Sequence, residues 1–354
     1  MANDTAVLVV APDTFSALYA QPEAVPVRAD AKVTRSAATV SVIVPSYNHA
    51  LFIGRCLRAI INQSLSPLEL IVIDDGSSDD SLKVIERILK TAPFDSELIA
   101  RPHRGLSATL NEGVELSRGQ YFAYLAADDV WLPGFLEARV ACLQSRPDAV
   151  LAYGHSFVIN ENDEIVECSA DWANYSDGNV RQMLLHHTVP FSPSVLYRCE
   201  AVKYHRWNED AGLEDYDLYL RLSAEREFAF DPKPLCAWRS HLNNQSRNLD
   251  FMLEECLKAQ QRAAGRLNIS EAELRKAQSE LKWRYATDFI RAGQKRKALG
   301  LVCRNLRGAS SYGSVARNVA GLLLPKRTLR WRRRLVQRRA IKCYGSIGGL
   351  APDV

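Results

Sequence analysis

The feature that most constrains the fold is a regular alternation of short apolar runs and amphipathic segments, which starts at Thr39. The apolar runs at residues 40–44, 68–73, 97–100 and 121–125 have the length of buried strands, and the segments between them repeat apolar side chains at helical spacing. Strands that alternate with helices predict an α/β fold with a mostly parallel sheet and helices on both of its faces. Ligands of such sheets bind at the carboxyl ends of the strands.

Pairs of acidic residues follow two of the predicted strands. Asp74 and Asp75 end the second strand before a glycine turn, and Asp128 and Asp129 follow the fourth. A carboxylate in the first pair can accept hydrogen bonds from a nucleobase or a ribose. Two adjacent acids at the edge of a sheet are costly unless a positive group joins them, and a Mg²⁺ or Mn²⁺ ion that bridges them to a diphosphate is one solution. The same pattern also suits acids at the N-termini of the helices that follow.

Other polar residues are less informative when taken alone. A third acidic cluster, at residues 214–217, opens a predicted helix, where a carboxylate can take a proton from an attacking hydroxyl. By itself, this cluster is more typical of acids that cap a helix. Arg104 can contact a phosphate, although surface arginines are commonly only solvated, and a single histidine such as His241 is usually structural.

Positive charge is concentrated in the last third of the chain. Residues 251–354 hold 23 Lys and Arg against 7 Asp and Glu, whereas the whole chain of 354 residues has a net charge of only +4. Eight of these basic residues fall within residues 326–339, which favours an anionic partner. Near an anionic membrane each Lys or Arg gains about 1 kcal/mol, so this segment can hold the chain at a bilayer surface, and a solvated tail is the alternative. Nucleic acid is the least favoured partner, because no aromatic stacking surface or recognised binding motif accompanies the arginines.

In combination, the order and spacing of these pieces resemble the inverting glycosyltransferases of family 2, whose members share the GT-A fold. The resemblance covers about residues 39–246 and leaves the basic segment to be interpreted separately. The matching pieces are Val42-Ile43-Val44-Pro45-Ser46-Tyr47-Asn48, Ile73-Asp74-Asp75-Gly76-Ser77, Asn111-Glu112-Gly113, Leu125-Ala126-Ala127-Asp128-Asp129 with Trp131 and Pro133, Glu214-Asp215, and Trp238-Arg239-Ser240-His241.

The resemblance implies a nucleotide site at the carboxyl ends of the first two predicted strands. Pro45, Tyr47 and Asn48 would frame the nucleotide. Asp75 would hold the base, and Asp74 would assist it.

The resemblance also implies roles for the remaining polar residues. Asp128 and Asp129 match the end of the family's metal-binding motif, with Asp129 as the direct ligand and Asp128 beside the diphosphate. His241 would lie near the metal, and Arg104 would contact phosphate. Asp215 matches the catalytic base.

The reaction implied by the resemblance is a metal-dependent transfer of a hexose from a nucleotide-diphosphate donor, with a UDP-sugar favoured, to a hydroxyl group with inversion at the anomeric carbon. The cofactor would be Mg²⁺ or Mn²⁺, and the acceptor a glycan or lipid-linked glycan, as in surface polysaccharide assembly. One departure supports an alternative, a nucleotide-sugar-binding protein without catalysis: the family motif often begins with a further Asp, and here that position is Ala126.

The same patterns divide the chain into four segments. Residues 1–38 are expected to be a poorly ordered leader, residues 39–246 the GT-A domain, residues 247–325 a helical region and residues 326–354 a basic tail. The leader lacks the features of a signal peptide, so we expect the thiols to stay reduced. The eight cysteines form no Cys-X-X-Cys pair and no Cys/His cluster at zinc spacing, so we expect no zinc site. We therefore expect a cytoplasmic protein that binds the membrane peripherally, if at all.

Overall fold

The computed structural model describes residues 39–242 and 244–350, so the predicted leader at residues 1–38 lies outside the described residues. Strands and helices are numbered in chain order. The strands are β1 (Val40–Ser46), β2 (Glu69–Asp74), β3 (Asp95–Ala100), β4 (Tyr121–Tyr124), β5 (Val130–Trp131), β6 (Ala149–Gly154), β7 (Phe157–Ile159), β8 (Ile165–Cys168), β9 (Leu196–Arg198), β10 (Glu227–Asp231) and β11 (Cys236–Arg239). The helices are α1 (Ile53–Ile61), α2 (Ser81–Leu89), α3 (Leu106–Leu116), α4 (Phe135–Ser145), α5 (Arg181–Leu185), α6 (Cys199–His205), α7 (Glu214–Ser223), α8 (Leu249–Ala263), α9 (Glu271–Arg291), α10 (Lys295–Arg304), α11 (Tyr312–Leu323), α12 (Lys326–Tyr344) and α13 (Ile347–Leu350).

The main sheet has the order β10-β6-β9-β4-β1-β2-β3 within the described residues. β1 pairs in parallel with β2 on one side and with β4 on the other, so their carboxyl ends share one edge. β1 and β2 are buried along their whole length, and because alternate side chains of a strand point to opposite faces, both faces of this sheet are covered. The predicted α/β fold with a mostly parallel sheet is confirmed.

Two features of the sheets did not follow from the sequence. β9 is antiparallel to both β4 and β6 and lies between them, where the sequence showed only an apolar run. A smaller sheet of order β5-β11-β7-β8 forms beside the main one. β7 and β8 are neighbours in the chain, but the β5–β11 and β11–β7 pairs join short segments that are far apart, and such contacts leave no periodic signal in the sequence.

The helical region that follows shares the core of the sheet domain. Cys256 of α8 and Leu281 and Phe289 of α9 join the same buried cluster as Ile43 of β1 and Phe122 of β4. Among the described residues, none of the helices combines the length and the apolar content needed to cross a bilayer.

The predicted basic, helical C-terminal region is confirmed, because α12 carries nine Lys and Arg and no Asp or Glu. No residue of α12 is fully buried, and Trp331 is 62% exposed. The end of the helix is nevertheless anchored on the smaller sheet. The backbone N–H of Ile165 donates to the carbonyl of Gly345 at 3.0 Å, and Ile347 is completely buried beside Phe157.

The close approach of α3 to β1 generates a stability test. A Cβ added at Gly113 would lie 2.7 Å from Cγ2 of Ile43, whereas a Cβ at Gly300 in α10 would meet nothing within 4 Å. We expect Gly113→Ala to lower the free energy of unfolding by about 1–3 kcal/mol through overpacking. Gly300→Ala should raise it by about 0.5–1 kcal/mol, because alanine loses less backbone freedom in a helix. Urea unfolding of the two variants measures both, and a stabilising Gly113→Ala would contradict the packing described.

Candidate active site

The loop after β1 is tied to the loop after β2 by side chains and backbone. The N–H of Asn48 donates to Oγ of Ser77 and its Oδ1 accepts the N–H of Ser78, both at 2.8 Å, while its own φ is 57°. The N–H of His49 donates to Oγ of Ser81 at 3.0 Å. These contacts fix the backbone that carries the side chains of Tyr47 and His49.

Asp75 organises the loop that leads into α3. Its carboxylate accepts the backbone N–H groups of Arg104 at 2.9 Å and Gly105 at 2.8 Å, and it also pairs with the guanidinium of Arg101. Asp75 is 4% exposed. The structure thus brings the backbone of Arg104 to Asp75, whereas the Arg104 side chain is exposed and lies 3.5 Å from Glu112.

An exposed aromatic pair lies beside Asp75. The rings of Tyr47 and His103 have centroids 4.4 Å apart, and Nδ1 of His103 lies 2.8 Å from Oδ2 of Asp75. Asp74 is buried and accepts the N–H of Ser77 at 2.8 Å, so it shapes the turn below. The sequence did not predict His103 as a site residue, because its only signal was its position after β3. We call Tyr47, Asp75 and His103 the aromatic–carboxylate cluster.

Pro45 has a supporting position within this edge. It lies in β1 opposite Ile73 of β2 and is buried. It therefore sets the backbone path into Tyr47, and its side chain has no polar group to offer the aromatic–carboxylate cluster.

A second group, the acid–histidine cluster, consists of His49, Asp128 and His241. Nε2 of His241 lies 2.8 Å from Oδ2 of Asp128, and one polar atom from each of the three side chains lies within 4.8 Å of the other two. Burial raises the pKa of Asp128, but the hydrogen bond from His241 and the charges of His49 and His241 outweigh it, so the pKa lies below its usual range. Asp128 is therefore an ionised carboxylate. Sequence reasoning missed His49, whose only signal was its position after the first strand.

The Asp129 carboxylate is not part of the acid–histidine cluster and contacts β11 instead. It is 1% exposed and accepts the backbone N–H of Arg239 at 2.8 Å. Burial and the neighbouring Asp128 raise its pKa well above the ordinary value. The buried Arg239 also donates to the carbonyl of Asp128 at 2.7 Å, which holds this loop against β11. The structure thus brings Asp128, and not Asp129, together with His241.

A third group surrounds Asp215 in the first turn of α7. Its carboxylate accepts a hydrogen bond from the hydroxyl of Tyr124 and another from Nε1 of Trp207 at 3.1 Å. Burial raises the pKa of Asp215, and the two hydrogen bonds partly offset that rise. Burial and then the charge of Asp215 raise the pKa of Glu214 to about 8. Tyr124 is the last residue of β4, so Asp215 contacts the strand that Asp128 follows in the chain.

Comparison with known proteins decides the family. A model described as Glycosyl transferase family 2 matches residues 41–205. An uncharacterized glycosyltransferase of Haemophilus influenzae is 30% identical over 220 residues, which cover 58% of this chain and 67% of that protein. The chain belongs to glycosyltransferase family 2. The resemblance drawn from the sequence motifs is confirmed, and Asp215 and His241 lie beyond the residues that the family model matches.

Another similar protein is much longer than this chain. Chondroitin synthase of Escherichia coli is 30% identical over 239 residues, which cover 66% of this chain but only 33% of that protein. The chain therefore spans about a third of the length of this relative.

Solved structures of glycosyltransferases share the fold. TarS residues 1–349 of S. aureus, in complex with UDP-GlcNAc, superpose with a TM-score of 0.55 at 15% identity, covering 84% of this chain and 92% of that one. The mannosyltransferase PcManGT of Pyrobaculum calidifontis, in complex with GDP-Man and Mn²⁺, gives a TM-score of 0.56 at 18% identity, with coverages of 86% and 87%. The predicted GT-A fold is thereby confirmed.

Proposed function

We propose that this family 2 member is an inverting, metal-dependent glycosyltransferase that moves a hexose from a nucleotide-diphosphate donor to a hydroxyl of a glycan or lipid-linked glycan. The observation that carries the proposal is that an ionised Asp128 follows the carboxyl end of β4 while Asp215 accepts a hydrogen bond from Tyr124, the last residue of that strand. A direct displacement needs a cation that neutralises the leaving diphosphate, which an ionised carboxylate can hold, and a group that accepts a proton.

The aromatic–carboxylate cluster suits the nucleotide. Tyr47 is 45% exposed, so a planar base can stack on its ring. His103 is half-exposed, so its contact with Asp75 is the one that a base can replace, while the other donors keep the carboxylate in place. The UDP-GlcNAc bound by TarS and the GDP-Man bound by PcManGT support a nucleotide-sugar donor, and we favour a UDP-sugar.

The acid–histidine cluster fits a divalent cation, because one ionised carboxylate and two histidines converge there. We propose that Asp128 and His241 hold the ion. Asp129 has a supporting role, since its carboxylate accepts the backbone N–H of Arg239. Mg²⁺ and Mn²⁺ are the candidates, and the Mn²⁺ present with PcManGT supports the second. When bound, the ion would neutralise charge that develops on the leaving diphosphate. The exposed guanidinium of Arg104, before the N-terminus of α3, can add a phosphate contact.

Asp215 is proposed as the general base. Tyr124 and Trp207 orient its two oxygens, so the carboxylate can receive the proton of an acceptor hydroxyl that attacks the anomeric carbon. Attack opposite the leaving diphosphate inverts the configuration at that carbon. A positioned base of this kind contributes about 10²–10⁴ in rate.

The donor is tested by thermal unfolding with UDP-, GDP- and dTDP-sugars, with and without Mn²⁺ or Mg²⁺. We expect one nucleotide class to raise the Tm in the presence of the metal, because a ligand that binds the folded state stabilises it. Asp128→Asn should lose the metal-dependent rise, whereas Asp215→Asn should keep it and lower the transfer rate by about 100-fold or more.

Two outcomes of that experiment would change the assignment. If no nucleotide sugar stabilises the wild-type chain with either metal, the transferase proposal fails. Metal-dependent binding without transfer to any acceptor would favour the alternative of a nucleotide-sugar-binding protein without catalysis, which the missing acid at position 126 supports.

The base is tested by the pH dependence of kcat/KM. The hydrogen bond from Tyr124 stabilises the ionised form of Asp215, so Tyr124→Phe should raise its pKa. Because the base acts when ionised, activity should then be lost at a higher pH as the solution is acidified. Tyr216→Phe is the control, since that hydroxyl donates to the carbonyl of Leu184 at 2.9 Å and not to Asp215. An acidic limb that stays in place or moves to lower pH in Tyr124→Phe would contradict the role of Asp215.

We further propose that α12 attaches the enzyme peripherally to the cytoplasmic face of a membrane. The helix has nine positive side chains and no negative one, and Trp331 is exposed among them. Anionic lipids concentrate in the cytoplasmic leaflet and attract such helices, which places a lipid-linked acceptor within reach.

Flotation with lipid vesicles tests this location. We expect the chain to float with vesicles that contain phosphatidylserine and not with phosphatidylcholine alone, and a triple Arg→Gln variant of exposed α12 residues should lose binding. A matched variant carries the same charge change on exposed arginines outside α12. The proposal would be contradicted if both variants lost vesicle binding equally, or if the wild-type chain did not float. The α12 variant changes Arg332, Arg334 and Arg338, and the matched variant changes Arg58, Arg87 and Arg226.

A further inference from the structure

We propose that His49 is a third protein ligand of the metal ion, and that it supplies the group that the missing acid at Ala126 would otherwise provide. The resulting set of two imidazoles and one carboxylate selects a first-row transition-metal ion over Mg²⁺. This inference rests on the proposed metal site of Asp128 and His241, and it adds a ligand that the family motif does not contain.

The geometry of His49 supports direct coordination. Ligand atoms of His49, Asp128 and His241 all lie within 4.8 Å of one another. Ligands on one side of a metal ion, with bonds of about 2.1 Å, are about 3.0–3.4 Å apart. The atoms that now lie farthest apart therefore need to approach by about 1.4–1.8 Å at most. In the part of the chain that the structure describes, no other three His, Cys, Asp or Glu side chains form such a group.

The backbone around His49 is already held in place. Its N–H donates to Oγ of Ser81 at 3.0 Å, and the next N–H, of Ala50, donates to Oδ2 of Asp79 at 3.0 Å. The carbonyl of His49 accepts the N–H groups of Phe52 and Ile53, both at 2.9 Å, which starts α1. Coordination would therefore come from rotation of the His49 side chain, whose Nδ1 lies 3.5 Å from the N–H of Tyr47.

Other neighbouring groups do not complete the site. Asp129 is turned toward the backbone of Arg239. Burial raises the pKa of the Cys56 thiol well above its usual range, and its Sγ lies 3.5 Å from the carbonyl of Ala126, so it stays a neutral thiol. Without an acid at position 126, Asp128 is left with two histidines as its partners.

This ligand set has a chemical preference. Mg²⁺ is a hard ion that binds oxygen and keeps several waters, whereas imidazole nitrogen binds first-row transition metals. Two histidines and one carboxylate on one side of an ion also leave positions open, as in the sites that hold Fe(II) with the same three ligand types. Those positions would be available to diphosphate oxygens.

Binding of Mn²⁺ to the full chain, alone and with UDP, tests the proposal without any measurement of activity. Electron paramagnetic resonance reports free Mn²⁺, and competition with Mg²⁺ gives the selectivity. We expect His49→Ala to weaken Mn²⁺ binding at least about tenfold, because even residues that only support a ligand change affinity by this amount. His49→Asp should keep Mn²⁺ binding and raise the affinity for Mg²⁺ relative to Mn²⁺. His186→Gln, which removes an imidazole that contacts Glu280, is the control and should bind as the wild type does.

A second measurement covers the case in which His49→Ala fails to fold. Electron spin echo modulation of Mn²⁺ bound to the wild-type chain should show two coordinated imidazole nitrogens. One nitrogen in the wild type, lost in His241→Ala, would overturn the role of His49 and leave the proposed metal site intact. Unchanged Mn²⁺ affinity in a folded His49→Ala variant would do the same. If the wild type binds no Mn²⁺ in either condition, this inference and the metal dependence of the proposed function both fall.

Discussion

The parallel register of β1 with β2 and β4 is the constraint on which the rest of the site depends. Ser46 pairs with Asp74 and Ile43 with Tyr124, so three strands end along one edge. The members of the aromatic–carboxylate cluster follow β1, β2 and β3, and those of the acid–histidine cluster follow β1, β4 and β11. A slip of one residue would turn every side chain of a strand to the opposite face. Close packing on the buried faces, such as that of Gly113 in α3 against Ile43, opposes this slip and so fixes the position of each carboxylate.

The second constraint is electrostatic, since each carboxylate at this edge needs a compensating group. Asp75 is compensated by N–H groups and a guanidinium, Asp128 by two histidines, and Asp215 by a hydroxyl and an indole N–H. These different partners give the groups different chemistry. Asp128 has a lowered pKa and suits a cation, whereas Asp215 has a raised pKa and suits proton transfer. Asp129, which has no such partner beyond Arg239, has its pKa raised well above the ordinary value.

The sequence predicted the parts of this arrangement that depend on local pattern. Strand positions, the α/β fold and the acids at strand ends follow from apolar periodicity, and the family motifs named Asp215 and His241. Side chains that enter the site from distant segments could not be predicted. His49 and His103 carry no periodic signal, and Trp207 reaches Asp215 only because of tertiary packing. Asp128 and Asp129 lie in a turn that is closed by the hydrogen bond from the N–H of Asp129 to the carbonyl of Ala126, at 2.9 Å. The sequence did not predict which of the two carboxylates contacts His241.

The most direct test of the account is a crystal structure of the chain with Mn²⁺ and the nucleotide sugar that stabilises it most. We expect the base against Tyr47 and Asp75, the ion and the diphosphate at Asp128 and His241, and the anomeric carbon on the side of β4 where Asp215 lies. An anomalous peak for Mn²⁺ identifies the ion independently of the nucleotide. A donor bound away from the carboxyl ends of β1, β2 and β4, or an ion that does not contact Asp128, would contradict it.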